Sequence, residues 1–352
     1  MKTHKQVYIA IDLHSKTSMI GYMNEDGQYL HHRQLDTTAQ NLINEIVAIP
    51  AHRKSVTIEQ SNMAFWAADQ LSGYVDELIV CDPRHNALIS RNESKNDRLD
   101  TMRLCKLLRL GELKAVWLPK QMGRRRVFYG QVKEYQRLVK TLSIHKRQLG
   151  DLLRHWGITR KTVASDYRDP KELLGAVDQE LVREEVAGKI AFIQQIERAK
   201  NEQKKRMIET GSSFWEIPEF LRIPGIGLIG AHMFSGYIQT PHRFRRSKQL
   251  IQFCQLGVRT FSSDGKRVRR ERLSKAGHGC LKNLAHIAWK ASQSSDNEVS
   301  RYFQGQLENS GNEVHARLST QRKILRVMWG LWKSHRPYDP DAFIYIHGDS
   351  DR

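Results

Sequence analysis

The chain has 352 residues, enough for about two domains, and 39% of them are hydrophobic, so folded cores are expected and global disorder is excluded. Lys and Arg number 57 against 38 Asp and Glu, which gives a formal net charge of +19. This excess predicts a polyanionic partner, most simply nucleic acid; a merely basic soluble protein is the alternative. No apolar run approaches the roughly 20 residues that span a bilayer.

The cysteines and the first residues predict the compartment. Four cysteines are scattered without any Cys-x-x-Cys pair: Cys81, Cys105, Cys254 and Cys280. They are predicted to be reduced, mostly core side chains, and a zinc site is not expected. Residues 1–5 lead straight into a predicted strand without the apolar core of a signal peptide. We therefore expect a cytoplasmic, bacterial and nucleoid-associated protein without a membrane anchor.

The first third of the chain predicts an α/β domain. Apolar runs and turn residues predict, in order, strands at 7–12, 17–23 and 28–35, a helix at 42–49 that Pro50 ends, a strand at 55–59, a helix at 63–71, a strand at 77–81 and a helix at 97–110. Three meandering strands followed by alternating helices and strands predict a mixed sheet with helices on its faces.

Four acidic residues in this region form the candidate catalytic site. Asp12 and Glu59 each end an apolar strand, and Asp97 and Asp100 are three residues apart on a predicted helix. If the first and fourth strands are neighbours, Asp12 and Glu59 lie side by side and the helix can bring both aspartates over them. This arrangement resembles the ribonuclease-H-like nucleases of the RuvC type, in which Mg²⁺ or Mn²⁺ acts on phosphodiesters. Four unrelated surface acids are the alternative.

The middle of the chain predicts two long helices. Apolar residues recur at helical spacing over 124–156 and again over 172–209, interrupted around Asp169-Pro170. Two long antiparallel helices would make a coiled-coil arm. Dimerisation is the favoured role of such an arm, because a lone helix pair buries little surface, and a solvated spacer is the alternative.

The last third contains the predicted nucleic-acid contacts. The stretch Ile223-Pro224-Gly225-Ile226-Gly227 is typical of a helix-hairpin-helix turn, whose amide groups can hold a phosphate; a tight turn without a ligand is equally compatible. Ser262 and Ser263 follow in a loop between basic residues, where phosphate binding is favoured over nucleophilic attack. The predicted nucleic-acid-binding residues are Gly225, Gly227, Arg245, Arg246, Lys248, Lys266, Arg267, Arg269, Arg270 and Lys275.

Together these motifs resemble the DEDD transposases of the insertion-sequence-110 class, which include the pilin-gene invertases. The resemblance covers nearly the whole chain and rests on Tyr8-Ile9-Ala10-Ile11-Asp12, Ile58-Glu59, Lys95-Asn96-Asp97-Arg98-Leu99-Asp100, Ile223-Pro224-Gly225-Ile226-Gly227, Phe253-Cys254-Gln255-Leu256-Gly257 and Leu273-Ser274-Lys275-Ala276-Gly277. It implies a RuvC-like domain at 1–115, a coiled-coil segment at 116–211, a helical transposase domain at 212–335 and a tail at 336–352.

The resemblance also implies the chemistry. The metal acids carry over to Asp12, Glu59, Asp97 and Asp100, with Mg²⁺ or Mn²⁺ as cofactor, and the nucleophilic serine carries over to Ser263. Ser262 remains an alternative, because Ser263 is followed by Asp264-Gly265 where the family serine often directly precedes glycine. The implied partners are donor and target DNA, an element-encoded guide (bridge) RNA, and further copies of the chain as a dimer or tetramer. A RuvC-type structure-selective endonuclease, a site-specific DNA invertase and a module that only binds nucleic acid are the alternatives.

Overall fold

The computed structural model describes residues 3–83, 97–117, 123–159, 167–259, 262–263, 266–267 and 272–344. The chain divides into two compact units, residues 1–122 and residues 123–352. None of the helices in this described part combines the length and the apolar character that crossing a membrane requires.

The first unit is built on a mixed five-stranded sheet. Its strands are β1 (His4–Leu13), β2 (Thr17–Asn24), β3 (Tyr29–Asp36), β4 (Ala51–Glu59) and β5 (Glu77–Cys81), and its helices are α1 (Ala39–Ala48), α2 (Ala64–Leu71) and α3 (Asp97–Leu110). The sheet order is β3-β2-β1-β4-β5. β1 is antiparallel to β2 and parallel to β4, and β4 is parallel to β5. β1 and β4 are therefore neighbours, which is the condition under which the sequence placed Asp12 and Glu59 side by side.

Both faces of the central strands are covered, which explains their nearly continuous apolar sequences. On one face, Ile9, Ile11 and Ile58 pack against side chains of α1 and α2. On the other face, Ala10 and Cys81 pack against Leu104 and Cys105 of α3. Because side chains alternate along a strand, each central strand contributes residues to both cores.

The cysteines are core side chains, as the sequence predicted. Cys81, Cys105 and Cys254 are buried, Cys280 is partly buried, and all four are free thiols. Burial raises the pKa of the Cys105 thiol to about 12. At neutral pH this thiol is therefore protonated and unreactive.

The second unit begins with an antiparallel pair of long helices, α4 (Arg124–His155) and α6 (Glu180–Gly211), with the short α5 (Pro170–Gly175) before α6. Gln203 Nε2 donates to the carbonyl of Gln131 at 3.0 Å, and Lys189 Nζ lies 3.0 Å from His145 Nδ1. These contacts are two heptads apart on both helices, so the side-by-side register is constant along the pair.

One helix boundary in this pair differs from the prediction. The sequence predicted a helix that begins near Glu172 and continues without a break, but the chain leaves helical structure between α5 and α6. Arg183 of α6 donates to the carbonyl of Val177 at 2.6 Å and stabilises the break. The break lets Leu173 of α5 and Val182 of α6 enter the same core, which periodicity alone did not predict.

The rest of the second unit is helical with two small hairpin ladders. Its helices are α7 (Glu216–Leu221), α8 (Leu228–Ile238), α9 (Ser247–Phe253), α10 (Gly279–Ser292), α11 (Glu298–Ser310), α12 (Glu313–Ser334) and α13 (Asp341–Ile344). The paired short strands are β6 (Val258–Arg259) with β9 (Arg272–Leu273), and β7 (Ser262–Ser263) with β8 (Lys266–Arg267). Tyr338 and Phe343, from the segment expected to be a tail, are buried in the main helical core.

A buried ion pair joins the start of α4 to this core. The Arg125 guanidinium donates to both carboxylate oxygens of Glu216, at 2.6 and 3.0 Å, and the Ser235 hydroxyl donates to the same carboxylate at 2.6 Å. Arg125 also stacks 3.9 Å from the centre of the Phe214 ring. Glu216 is fully buried, so its charge depends on these donors.

Candidate functional site

Asp12 and Glu59 occupy adjacent positions at one edge of the sheet. The parallel β1–β4 ladder pairs Ala10 with Thr57 and Ile11 with Ile58, and Asp12 and Glu59 are the next residues on each strand. Because parallel partners share a face, both carboxylates belong to the face that Ala10 and Thr57 occupy, which is the face covered by α3. The sheet therefore brings these two predicted acids together at its carboxyl edge.

Helix α3 runs so that its first turn lies toward the same edge. Near its end, Arg109 donates to the carbonyl of Glu25 at 3.4 Å, at the end of the sheet where β1 begins. Four residues earlier, Cys105 Sγ donates to the carbonyl of Gly21 at 3.3 Å. Following the axis back toward its start leads to the carboxyl ends of β1 and β4. Asp97 is the first residue of α3 and Asp100 lies three positions on, in that first turn.

The described side chains at this edge are polar and partly buried. The Asp12 side chain is 19% exposed and its Oδ2 lies 3.4 Å from His14 Nε2. Asp100 Oδ1 lies 3.6 Å from Arg103 Nη1. The Thr57 hydroxyl, two residues before Glu59, is buried without a hydrogen-bond partner in the structure.

Carboxylate oxygens are the ligands that Mg²⁺ prefers, so the chemistry of these side chains suits that ion. Among the side chains that the structure describes, however, no three His, Cys, Asp or Glu residues are close enough together to hold a metal. The Asp97 side chain lies outside the described ones. The four-acid site therefore stays a prediction. The structure supports one part of it, the adjacent positions of Asp12 and Glu59.

The two candidate serines form strand β7, and the two strand pairs β7–β8 and β6–β9 are together called here the serine hairpin. On paired strands, Ser262 is opposite Arg267 and Ser263 is opposite Lys266. The ladder of Val258 with Leu273 forms the foot of the hairpin. Arg269 and Arg270 lie outside the described residues. The structure thus gives the backbone position of both serines without deciding between them.

The foot of the serine hairpin is tied to the helical core by hydrogen bonds to backbone carbonyls. Arg322 Nε of α12 donates to the carbonyl of Leu256 at 2.9 Å. The Ser274 amide donates to the carbonyl of Gly257 at 2.8 Å. The Gln255 side chain donates to the carbonyls of Lys275 and Gly277 at 2.8 and 3.0 Å. These bonds fix where the hairpin leaves the core.

The predicted basic residues before the hairpin lie at the start of α9. Arg245, Arg246 and Lys248 are exposed. The Gln249 side chain accepts from the Arg245 amide at 2.8 Å, and Lys333 of α12 donates to the Arg245 carbonyl at 3.2 Å. These hydrogen bonds hold the backbone at Arg245, and the exposed cationic side chains beside it are suited to contacting phosphates.

A groove of about 1200 Å³ lies beside the glycine turn. It is lined by one face of α4, by the turn itself, and by the starts of α8 and α10. Gly225 has a φ of +85°, and a Cβ placed there would lie 2.0 Å from the Ala288 carbonyl oxygen. Close packing against α10 thus accounts for this glycine. A Cβ on Gly227 would meet no atom within 4 Å, so its open position is the one that leaves room for a ligand.

The rim of the groove is positively charged. Lys133 and Lys140 of α4 are exposed along it. The pKa of His278, at the start of α10, is lowered to about 4, mainly by burial and further by Arg243, Lys140 and Lys133. His278 is therefore neutral at pH 7. The two lysines were not predicted from the sequence, because their only signal is a spacing of seven residues on one face of a long helix.

The glycine turn and the serine hairpin both lie in one segment that matches a known family. Residues 218–304 match the family model described as Transposase IS116/IS110/IS902 family. This segment is similar to that transposase family. The match covers the glycine turn, α9, the serine hairpin and α10, and it confirms the resemblance drawn from the sequence. No curated protein matches the chain.

The matched segment ends before α12, and the candidate acids lie in the other unit. The family match therefore supports a transposase-like segment at 218–304, whereas the roles of Asp12, Glu59, Asp97, Asp100, Ser263 and the predicted basic residues stay predictions.

Proposed function

We propose that this protein is a DNA recombinase of the insertion-sequence-110 type, which cuts and rejoins DNA strands through a phosphoserine intermediate. The family match over the segment that holds the serine hairpin is the observation that carries the proposal. The mixed sheet with Asp12 and Glu59 at adjacent positions supports a RuvC-like, ribonuclease-H-like first domain. Since its substrate is DNA, we place it at the bacterial nucleoid.

The proposed acid site consists of Asp12, Glu59, Asp97 and Asp100. These residues would hold Mg²⁺ or Mn²⁺, which supplies Lewis-acid stabilisation of charge on the scissile phosphate. All four side chains carry the carboxylate oxygens that this ion prefers, and Asp12 and Glu59 also lie at adjacent positions on neighbouring strands. His14, beside Asp12, orients that carboxylate.

The proposed nucleophile is Ser263, with Ser262 as the alternative. Its Oγ attacks the phosphorus, the Oγ–P bond forms, the P–O3′ bond breaks, and the 3′ oxygen leaves and takes up a proton. The 3′-hydroxyl of the exchanged strand then attacks the phosphoserine phosphorus. The serine oxygen leaves with a proton, so the phosphodiester is restored without an external energy source.

The basic residues and the groove contribute DNA and RNA contacts in this proposal. Exposed cations at Arg245, Arg246, Lys248 and Lys275, together with Lys266, Arg267, Arg269 and Arg270 of the hairpin, would contact phosphates, and the open amide region at Gly227 would do the same. An element-encoded guide RNA is the proposed source of target choice. The α4–α6 pair is proposed to act as a coiled-coil arm that dimerises, so that the serine of one subunit completes the acid site of another.

The test is covalent trapping. Protein, Mg²⁺, DNA from the element's own junction and its flanking RNA are incubated and run on a denaturing gel. We expect a protein–DNA adduct that Ser263→Ala abolishes and Ser262→Ala leaves intact. The reverse pattern would move the nucleophile to Ser262. Free cut ends without an adduct in the wild-type protein would refute the proposal.

A RuvC-type structure-selective endonuclease is the second candidate. Its supporting observation is that Asp12 and Glu59 lie in a unit separate from the serine hairpin, where a hydrolytic site could act with water alone. Replacing both serines with alanine separates the two: cleavage at an unchanged rate favours the endonuclease, and complete loss favours the recombinase.

A further inference from the structure

Three cationic residues form a cluster on α12, which lies beyond the segment that matches the transposase family. Arg326 is four residues from Arg322 and three from Lys323, so its side chain is a neighbour of both on the helix surface. All three are partly buried. Burial lowers the pKa of Arg322 and of Lys323, and the neighbouring charge of Arg326 lowers both further. The cluster is therefore both desolvated and self-repelling.

The two arginines of this cluster have no acidic partner in the described part of the chain. Neither guanidinium forms a salt bridge with a described carboxylate, and the Nε atom of Arg326 is buried without any hydrogen-bond partner. Arg322 donates from its Nε to the carbonyl of Leu256, and the N–H groups on its two terminal nitrogens are further donors. Charged groups withdrawn from water without a counter-charge cost free energy, and a bound anion would recover it.

The position of the cluster indicates which anion would bind. Leu256, the residue that Arg322 holds, is two residues before the first strand of the serine hairpin. A group bound by the cluster would therefore lie at the hairpin foot. Arginine donates in a fork that matches phosphate oxygens, so a phosphodiester is the ligand that fits both the charge and the geometry.

We propose that Arg322, Lys323 and Arg326 bind one phosphate of the DNA strand at the foot of the serine hairpin. The site also positions the hairpin, because the guanidinium of Arg322 contacts both the bound phosphate and the Leu256 carbonyl. The proposal rests on the proposed function in taking DNA as the ligand, but it concerns binding and not strand cleavage.

The test is the salt dependence of DNA binding by the full-length protein. Fluorescence anisotropy with a labelled 30-base-pair duplex, in EDTA to prevent cleavage, gives the slope of log K against log salt concentration. Loss of one phosphate contact reduces the slope by about 0.9. When the salt concentration is raised from 50 to 200 mM, the factor by which the binding constant falls should therefore be about 3.5-fold smaller for Arg326→Gln than for the wild type.

The matched control is Arg301→Gln. Arg301 is an exposed arginine already paired with Asp296, at 2.9 and 3.1 Å, so its replacement changes the net charge equally. We expect this control to keep the wild-type slope. An equal change in both variants would show a general charge effect and overturn the proposal.

Two further measurements separate a binding role from a structural one. Without nucleic acid, Arg326→Gln should melt no lower than the wild type, because the substitution relieves repulsion within the cluster. Reduced melting with an unchanged salt slope would show a structural role and overturn the proposal. A slope that changes with an RNA duplex of the same sequence but not with DNA would overturn the assignment to DNA.

The outcome is independent of the covalent-trapping result. A changed DNA slope without any serine adduct would leave this phosphate site standing while the recombinase proposal fails. A serine adduct with an unchanged DNA slope would support the recombinase proposal and overturn this phosphate site.

Discussion

Replacing Gly225 with alanine should strongly destabilise the second unit. A Cβ at this position would lie 2.0 Å from the Ala288 carbonyl oxygen and 3.1 Å from the Ser292 amide nitrogen, both of which are backbone atoms that cannot swing away. The φ of +85° adds about 1–2 kcal/mol of left-handed strain for a non-glycine residue. Forcing the helices apart adds about 1–3 kcal/mol. A loss of about 3 kcal/mol in unfolding free energy is therefore expected.

Gly227→Ala is the matched control, two residues away in the same turn. Its φ of −87° is ordinary, and a Cβ there meets no atom within 4 Å. The substitution should cost less than about 1 kcal/mol, the difference between glycine and alanine at the start of a helix. Urea denaturation of both variants measures the contrast. Scanning calorimetry should show a melting temperature about 6–12 °C lower for Gly225→Ala. Equal losses in the two variants would refute the packing argument.

Three further predictions concern charge. Glu216→Ala should cost about 3–5 kcal/mol in urea denaturation, because it leaves Arg125 partly buried without its carboxylate; Arg125→Met combined with it should recover part of that loss. The pKa of His278 is about 4 in the folded chain against an ordinary 6.5, so between these pH values the unfolded chain binds a proton that the folded chain does not. The unfolding free energy should therefore fall as the pH drops from about 6.5 to about 4. His278→Asn should flatten this pH dependence, and an unchanged pH profile in that variant would contradict the prediction. Mg²⁺ should raise the melting temperature of the wild type but not of Asp12→Asn or Glu59→Gln, and a retained shift in both would exclude these acids as ligands.

The first unit could be predicted closely from the sequence, because its elements have strong local signals. The strand at 77–81 and the helix at 97–110 have the predicted limits. Pro50 follows the end of α1, and the Asp26-Gly27 turn joins β2 to β3. The apolar runs ending at Asp12 and Glu59 predicted both strands, since buried parallel strands are apolar on both faces, but they left open whether the two strands are neighbours.

The helical second unit was less predictable, because tertiary contacts set its boundaries. Gly311, with a φ of +59°, separates α11 from α12, a boundary that was not predicted from the sequence. Tyr338 is held in the core by its amide, which donates to Glu219 at 2.7 Å, a contact between residues far apart in sequence. No local pattern encodes such a contact.

The candidate sites also divide into features with local sequence signals and features that only tertiary contacts reveal. The acids and the serines could be named as candidates because motifs surround them, and their roles stay predictions. The cationic cluster of α12 was not, because arginines at helical spacing usually form a solvated face; only its burial and its contact with Leu256 distinguish it. Likewise, sequence could not show that packing fixes Gly225 whereas Gly227 is open.

The constant register of the α4–α6 pair makes its length adjustable by engineering. Gln131 faces Gln203, and His145 faces Lys189 two heptads further along, so every seventh residue repeats the same relation between the helices. Removing one heptad from each helix at matched levels would keep every remaining side chain on its face. Each such step shortens the pair by about 10 Å. Natural or designed variants can thus change the reach of this element in fixed increments, whereas deletion of one or two residues would rotate half of it out of its core.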